Sequence, residues 1–173
     1  TREQRYWDAW DHVEPLTGVG EDEIAERVLS ELRSSVRLRK ESDVPVGVFL
    51  SGGIDSTTNA VLFSEGSREP VHTFSIGYAG ENPSYPSELA NAAAVAKQIG
   101  ATHRERVLRR EELVTFLSRM AFMQDEPIAD PVCFPLYFIS ELARKNGVTV
   151  CQVGEGADEL FLGYPEWRAT IRR

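Results

Sequence analysis

Two apolar runs in this chain, residues 44–50 and 148–153, each break off into glycines and acidic residues. The first leads through Leu50-Ser51-Gly52-Gly53-Ile54-Asp55-Ser56 into a helix-compatible segment. That order places free backbone N–H groups where a strand ends and a helix begins. The first N–H groups of a helix have no partner inside it, and the helix dipole favours anions there. The two glycines let the backbone approach a phosphate closely, and Ser51 and Ser56 offer hydroxyl donors. Asp55 would repel a phosphate directly; a carboxylate in such a loop makes sense if it holds a divalent cation that the phosphates share. The ligand implied is a nucleotide with its Mg²⁺.

The second junction reads Val153-Gly154-Glu155-Gly156-Ala157-Asp158-Glu159-Leu160-Phe161, followed by Gly163-Tyr164. In a parallel sheet both strand ends lie on one edge, where open α/β sheets bind ligands. Asp55 and Asp158 are then placed to face one Mg²⁺ from two sides. Acids in a first helical turn also serve the helix dipole, which accounts for one of Glu155, Asp158 and Glu159 more easily than for all three. Two common phosphate motifs are excluded. A P-loop needs Gly-Lys, which occurs nowhere in the chain, and the third glycine of a dinucleotide fingerprint starting at Gly154 is replaced by Glu159.

Between the junctions, strands alternate with helices. Ile24, Val28, Leu32 and Val36 fall at helical spacing in residues 21–40, with acids at the start and Arg37, Arg39 and Lys40 at the end. Those basic residues read as a solvated face. A helix is expected over residues 54–64, a strand over 71–76 and a Gly/Pro-rich loop over 77–85. Leu89, Ala92, Ala96 and Ile99 mark a helix that Gly100 ends, and residues 103–108 read as a short strand. Leu113, Phe116, Leu117 and Met120 share the core face of the next helix. A loop rich in Asp and Pro (residues 124–135) precedes a helix reaching Asn146, with Pro135 suited to its first turn and Gly147 stopping it. Residues 148–153 are the last strand. The alternation predicts an α/β fold: a parallel sheet flanked by helices. Residues 1–20 carry Trp7, Trp10, Pro15 and Gly18 without periodicity and read as a linker or arm, with the two tryptophans docked on a partner or packed locally.

Composition narrows the function classes. With 42% hydrophobic and 27% charged residues, the 173-residue chain is of the ordinary globular kind, and its formal net charge of −8 argues against nonspecific binding to nucleic acid or acidic membranes. An acidic protein that binds ATP needs a cation between them. No apolar run approaches the roughly 20 residues of a membrane span. Cys133 and Cys151 lack metal-ligand spacing, so reduced cysteines and a cytoplasmic location are expected, with Cys151 in the core. His12, His72 and His103 are scattered, and no serine-hydrolase elbow is present.

The Ser-Gly-Gly-Ile-Asp-Ser string resembles the loop of the ATP pyrophosphatases, and a longer set of motifs resembles the synthetase domain of glutamine-hydrolysing asparagine synthetases and their β-lactam synthetase relatives. The motifs are Asp43-Val44-Pro45-Val46-Gly47-Val48-Phe49-Leu50, Thr73-Phe74-Ser75-Ile76-Gly77, Asp125-Glu126-Pro127-Ile128-Ala129-Asp130-Pro131 and the Gly-Glu-Gly-Ala-Asp-Glu-Leu-Phe block. The resemblance implies an adenine nucleotide alpha-hydrolase-like fold with strand order 3-2-1-4. It implies that ATP adenylates the aspartate side chain with release of pyrophosphate, and that ammonia then displaces AMP. By the same resemblance Ser51, Gly52, Gly53 and Ser56 hold pyrophosphate, and Asp55 and Asp158 hold Mg²⁺. Leu50 and Ile76 contact adenine through their backbones, Val153 and Gly154 lie alongside the nucleotide, Glu155 accepts a proton from ammonia, and Asp125 and Asp130 border the amino-acid pocket.

Departures from the family pattern set further expectations. Val153 stands where the family usually has Ser, so a hydroxyl is missing and a backbone contact remains. Residues 21–164 are expected to be the N-terminal part of the synthetase domain, residues 165–173 its truncated end, and the whole the nucleotide half of a larger enzyme joined through residues 1–20 to a glutaminase domain. Two other readings stand beside this one: an adenylating relative with another acceptor, such as a β-lactam synthetase-like enzyme, and a nucleotide-binding module without catalysis.

Overall fold

A computed structural model describes residues 2–80, 88–124, 126, 128 and 130–171. Among these, β1 (Val46–Phe49), β2 (His72–Tyr78), β3 (Thr102–Leu108) and β4 (Val150–Gln152) form one parallel sheet in the order β3-β2-β1-β4. Val48 pairs with Thr73 on one side and Gln152 on the other, and Gly77 and Tyr78 pair with Val107 and Leu108. The helices are α1 (Glu21–Leu38), α2 (Ile54–Ser64), α3 (Leu89–Gln98), α4 (Arg110–Met123), α5 (Cys133–Lys145), α6 (Ala157–Phe161) and α7 (Pro165–Ile171).

The core clusters sort the helices into layers. Val48 belongs with Leu50, Val36, Ala60 and Ala92, whereas its neighbour Phe49 packs with Phe74, Ile139 and Val148. Adjacent strand residues point to opposite faces, so α1, α2 and α3 cover one face of the sheet and α5 the other. Phe116 of α4 meets Phe138 and Leu108 and extends the second layer. Full burial of side chains such as Phe74 and Leu50 supplies roughly 1.5–3 kcal/mol each, and β1, at the centre of the sheet, is buried on both faces. The strand order, the bounds of α2 and the place of Cys151 against the core match expectation. Burial pushes the Cys151 thiol up to about 11.

Five expectations are corrected. The second strand runs past Ile76 to Tyr78, because β3 continues to supply ladder partners there. The last strand is shorter than residues 148–153. The Val148 N–H is taken by the Ala143 carbonyl at 3.1 Å, which makes Val148 the exit of α5 rather than the start of β4. Leu117 is 49% exposed and leaves the core face to Leu113, Phe116 and Met120. Leu32 is exposed as well, so α1 buries less of its apolar stripe than its spacing implies. Lys40 is not part of a solvated face: its ammonium donates to the Phe63 and Glu65 carbonyls at 2.7 and 3.1 Å, beyond the end of α1. Near the N-terminus a single 3-10 turn, Ala9–His12, is capped by the Asp8 carboxylate, which accepts the Trp10 N–H at 2.8 Å. Trp7 and Trp10 are both exposed, Trp10 to 79%.

Candidate functional site

The first junction starts at buried Leu50. Its N–H extends the ladder to the Phe74 carbonyl at 2.9 Å, and its carbonyl accepts a hydrogen bond from the Ser75 hydroxyl. The chain then turns sharply at Gly52, whose φ is +86°; a Cβ there would sit 2.9 Å from Glu88 O and Ala92 N at the start of α3. Glycine alone meets both demands. Two serines tie the loop together. The Ser51 N–H donates to Ser56 Oγ at 3.1 Å, and the Gly53 N–H donates to Ser51 Oγ at 3.2 Å. The two hydroxyls lie 2.8 Å apart, and Ser56 Oγ donates to the Gly53 carbonyl at 3.2 Å. The first intrahelical bond of α2 runs from Thr57 N–H to the Gly53 carbonyl, so the amides of Ile54, Asp55 and Ser56 have no partner within the helix. These amides, with half-buried Asp55 among them, form an anion-attracting helix start.

The second junction comes to the same rim. The chain leaves β4 through exposed Val153 and reaches Gly154, where a Cβ would lie 3.0 Å from Asp55 C and from Ser56 N. The two motifs, distant in sequence, therefore meet backbone to backbone at the first turn of α2. Glu155 is exposed at this rim. The half-buried Asp158 turns its carboxylate against Gly163, and a Cβ on Gly163 would overlap it; the Gly163 N–H donates to the Asp158 carbonyl at 2.9 Å. Glu159 accepts the Tyr164 hydroxyl at 2.6 Å, a bond that holds the Glu159 carboxyl below its usual range and pushes Tyr164 up to about 12. Among the described residues no three His, Cys, Asp or Glu side chains gather as a metal centre. Carboxylates beside an anion-attracting helix start are the donor type that suits Mg²⁺, which keeps several waters and takes one or two carboxylates.

Ile76 lies just past the end of the β1–β2 ladder, whose last rung is the Leu50 N–H. From Ile76 onward β2 is paired with β3 alone, and β1 offers no ladder partner. Asp130 lies in the turn ahead of α5, whose N-cap is Val132: its carboxylate accepts the Val132 N–H at 2.9 Å and its carbonyl accepts the Cys133 thiol at 2.7 Å. Asp125 falls outside the described residues. A groove of about 510 Å³ between β3, α4 and α5 is lined by Arg106, Phe116, Arg119, Tyr137 and Glu141, with none of the motif residues on its walls. Sequence reasoning carried Ser75 and Gly163 within its motifs but gave neither a role. The available signal for Ser75 was a hydroxyl inside a strand buried on both faces.

Against known proteins, the family model described as asparagine synthase matches residues 27–173. Asparagine synthetase [glutamine-hydrolysing] 1 of Bacillus subtilis is 40% identical over 151 residues, covering 87% of this chain and 23% of that protein. A Mycobacterium tuberculosis protein assigned the same enzyme name provisionally is 40% identical over 157 residues, covering 91% of this chain and 23% of its own length. The chain thus spans about a quarter of the length of these relatives. Among solved structures, an NH3-dependent NAD synthetase from Campylobacter jejuni superposes with a TM-score of 0.50 at 17% identity, covering 80% of this chain and 60% of that one. The fold is the adenine nucleotide alpha-hydrolase type, a parallel sheet with flanking helices.

Proposed function

The chain belongs to the asparagine synthase family, and from that premise we propose that it forms the nucleotide-binding part of an ATP-dependent, amide-forming ligase. In this reading the enzyme adenylates a carboxylate, the aspartate side chain before others. A carboxylate oxygen attacks the α-phosphorus of ATP, and pyrophosphate departs. Ammonia then attacks the acyl carbon, and AMP leaves as asparagine forms. A carboxylate is a poor electrophile until one oxygen belongs to such a leaving group.

The observation that carries this reading is the contact of Gly154 with the backbone of Asp55 and Ser56. It supports a single rim built from both motifs. Ser51, Gly52, Gly53 and Ser56 receive the β- and γ-phosphates, with the unpartnered amides of α2 facing the charge that builds on the departing pyrophosphate. Asp55 and Asp158 would hold Mg²⁺, which neutralises that charge when bound. The unpaired flank of β2 at Ile76, with Leu50 beside it, offers backbone groups to the adenine, and Val153 and Gly154 run alongside the nucleotide. Exposed Glu155 accepts the proton that ammonia loses. Asp125 and Asp130 border the acceptor pocket, Asp130 from the turn ahead of α5. Ammonia would come from a glutaminase domain elsewhere in the full-length protein, as the names of the relatives suggest. No helix among the described residues is long and apolar enough to cross a membrane.

The test is isotope exchange between pyrophosphate and ATP in the full-length protein that carries this chain. Exchange should require Mg²⁺ and an added carboxylic acid, with aspartate the most effective. Exchange that runs equally well without any carboxylic acid would remove the adenylation step from the reading.

A further inference from the structure

The peptide unit joining Leu50 to Ser51 is held at both ends by buried serines. Its carbonyl accepts the Ser75 hydroxyl from β2, and its N–H donates to Ser56 Oγ of α2 at 3.1 Å. The plane of this peptide is therefore set between sheet and helix, at the point where the strand becomes the loop. In the β1–β2 ladder the Leu50 N–H has a backbone partner, the Phe74 carbonyl, while the carbonyl is taken by a side chain. Ser75 is 1% exposed, so no bulk water replaces its hydroxyl. A buried carbonyl needs a partner, and without Ser75 the available relief is rotation of the peptide. Rotation carries the Ser51 N–H off Ser56 and moves the Ser51 hydroxyl that accepts the Gly53 N–H.

We propose that Ser75 is a positioning residue for the phosphate loop, acting through the Leu50–Ser51 peptide. The proposal rests on the ATP-binding reading above. Ser75 sets the direction of the Ser51 hydroxyl and the Gly52 and Gly53 amides, and so governs nucleotide affinity rather than the attack of ammonia.

Thr73 supplies the control. It lies on the same face of β2 two residues earlier and is 0% exposed, but its hydroxyl meets His103 Nδ1 at 2.8 Å instead of the loop. Ser75→Ala, Ser75→Cys and Thr73→Val are compared in the full-length protein by calorimetric ATP binding, by KM for ATP against KM for the carboxylate, and by thermal unfolding. Loss of one hydrogen bond at the loop corresponds to roughly a fivefold rise in Kd and KM for ATP in Ser75→Ala. The carboxylate KM should stay put, and Ser75→Cys, with its weaker donor, should fall between. Thr73→Val should lower the unfolding temperature comparably and leave ATP affinity unchanged. If Ser75→Ala does not fold, the Cys variant carries the same comparison. Equal ATP affinity in the Ser75 and Thr73 variants overturns the proposal alone. Failure of the unmodified protein to bind ATP overturns the reading beneath it and the proposal with it.

Discussion

Gly154 lies so close to Ser56 that a Cβ on it would come 3.0 Å from the Ser56 amide nitrogen and 3.1 Å from its Cα. The obstructing atoms are backbone in the first turn of α2, which cannot swing aside as a side chain can. Gly154→Ala should therefore push the two motifs apart at the rim. Overpacking of this kind costs roughly 1–3 kcal/mol, and under the proposed function strain at this rim should appear as a rise of about tenfold or more in KM for ATP. An unchanged ATP KM in a folded Gly154→Ala protein would show that the contact has no part in the site.

Asp55→Asn and Asp158→Asn keep side-chain size and remove the charge that a cation needs. Pyrophosphate–ATP exchange in each variant should fall by at least about 100-fold and should not return at high Mg²⁺. Cys133→Ala, which removes the thiol bonded to the Asp130 carbonyl, should leave exchange intact. If either Asn variant exchanged at the original rate, the metal assignment would fall for that residue.

Much of this molecule is legible in the order of its residues, and the exceptions share a cause. The bounds of α2 follow from local chemistry: glycines ahead of it and an uninterrupted helix-compatible run within it. The meeting of Gly154 with Asp55 is legible only in part: alternation puts parallel strand ends on one edge, but that β1 and β4 are neighbours there is implied by the family resemblance and not by periodicity. The role of Ser75 was hidden because a hydroxyl in a strand announces nothing about which neighbour it will bond; only the register of β1 on β2 brings it to Leu50. Leu32 and Leu117 sit at helical spacing yet stay exposed, since periodicity gives the face of a helix and not how much of that face is covered. Lys40 reads as one more basic residue in a row until α2 packs against α1 and offers its carbonyl end. Gly163 is explained by a single side chain, the Asp158 carboxylate, that occupies its Cβ position.

Lys40 should contribute to stability well beyond an ordinary surface lysine. Its ammonium donates to the Phe63 and Glu65 carbonyls and to Ser67 Oγ at 3.0 Å, and it lies 4.9 Å over the Phe63 ring. A cation at the C-terminal end of a helix satisfies carbonyls that lack helical partners and meets the negative pole of the dipole. Lys40→Met keeps the apolar stem and loses those bonds, for an expected cost of roughly 1–2 kcal/mol. Urea unfolding measures it, and a midpoint equal to that of the unmodified protein would relegate Lys40 to the solvated surface.

Arg106, on edge strand β3, ties that strand to the helices of the second layer and should make stability depend on pH. Its guanidinium donates to Glu112 of α4 at 2.8 Å and to Glu141 of α5 at 2.6 Å, and lies 4.6 Å over the Phe138 ring. Hydrogen bonds from Arg106 hold both carboxyls below their ordinary value of 4.5, with Lys145 adding to the effect at Glu141. A carboxyl whose folded value is depressed stabilises the fold at pH above its unfolded value, and that stabilisation is lost as pH falls through the folded value. Arg106→Gln should therefore be less stable than the unmodified protein at about pH 7, with the gap narrowing as the pH is lowered to about 3. The comparison is urea unfolding across that range. Solvent screens these half-exposed groups, so the narrowing is the diagnostic quantity rather than the size of the gap. A gap of constant width from neutral to acid pH would mean that Arg106 stabilises the fold through its stacking on Phe138 and not through its carboxylates.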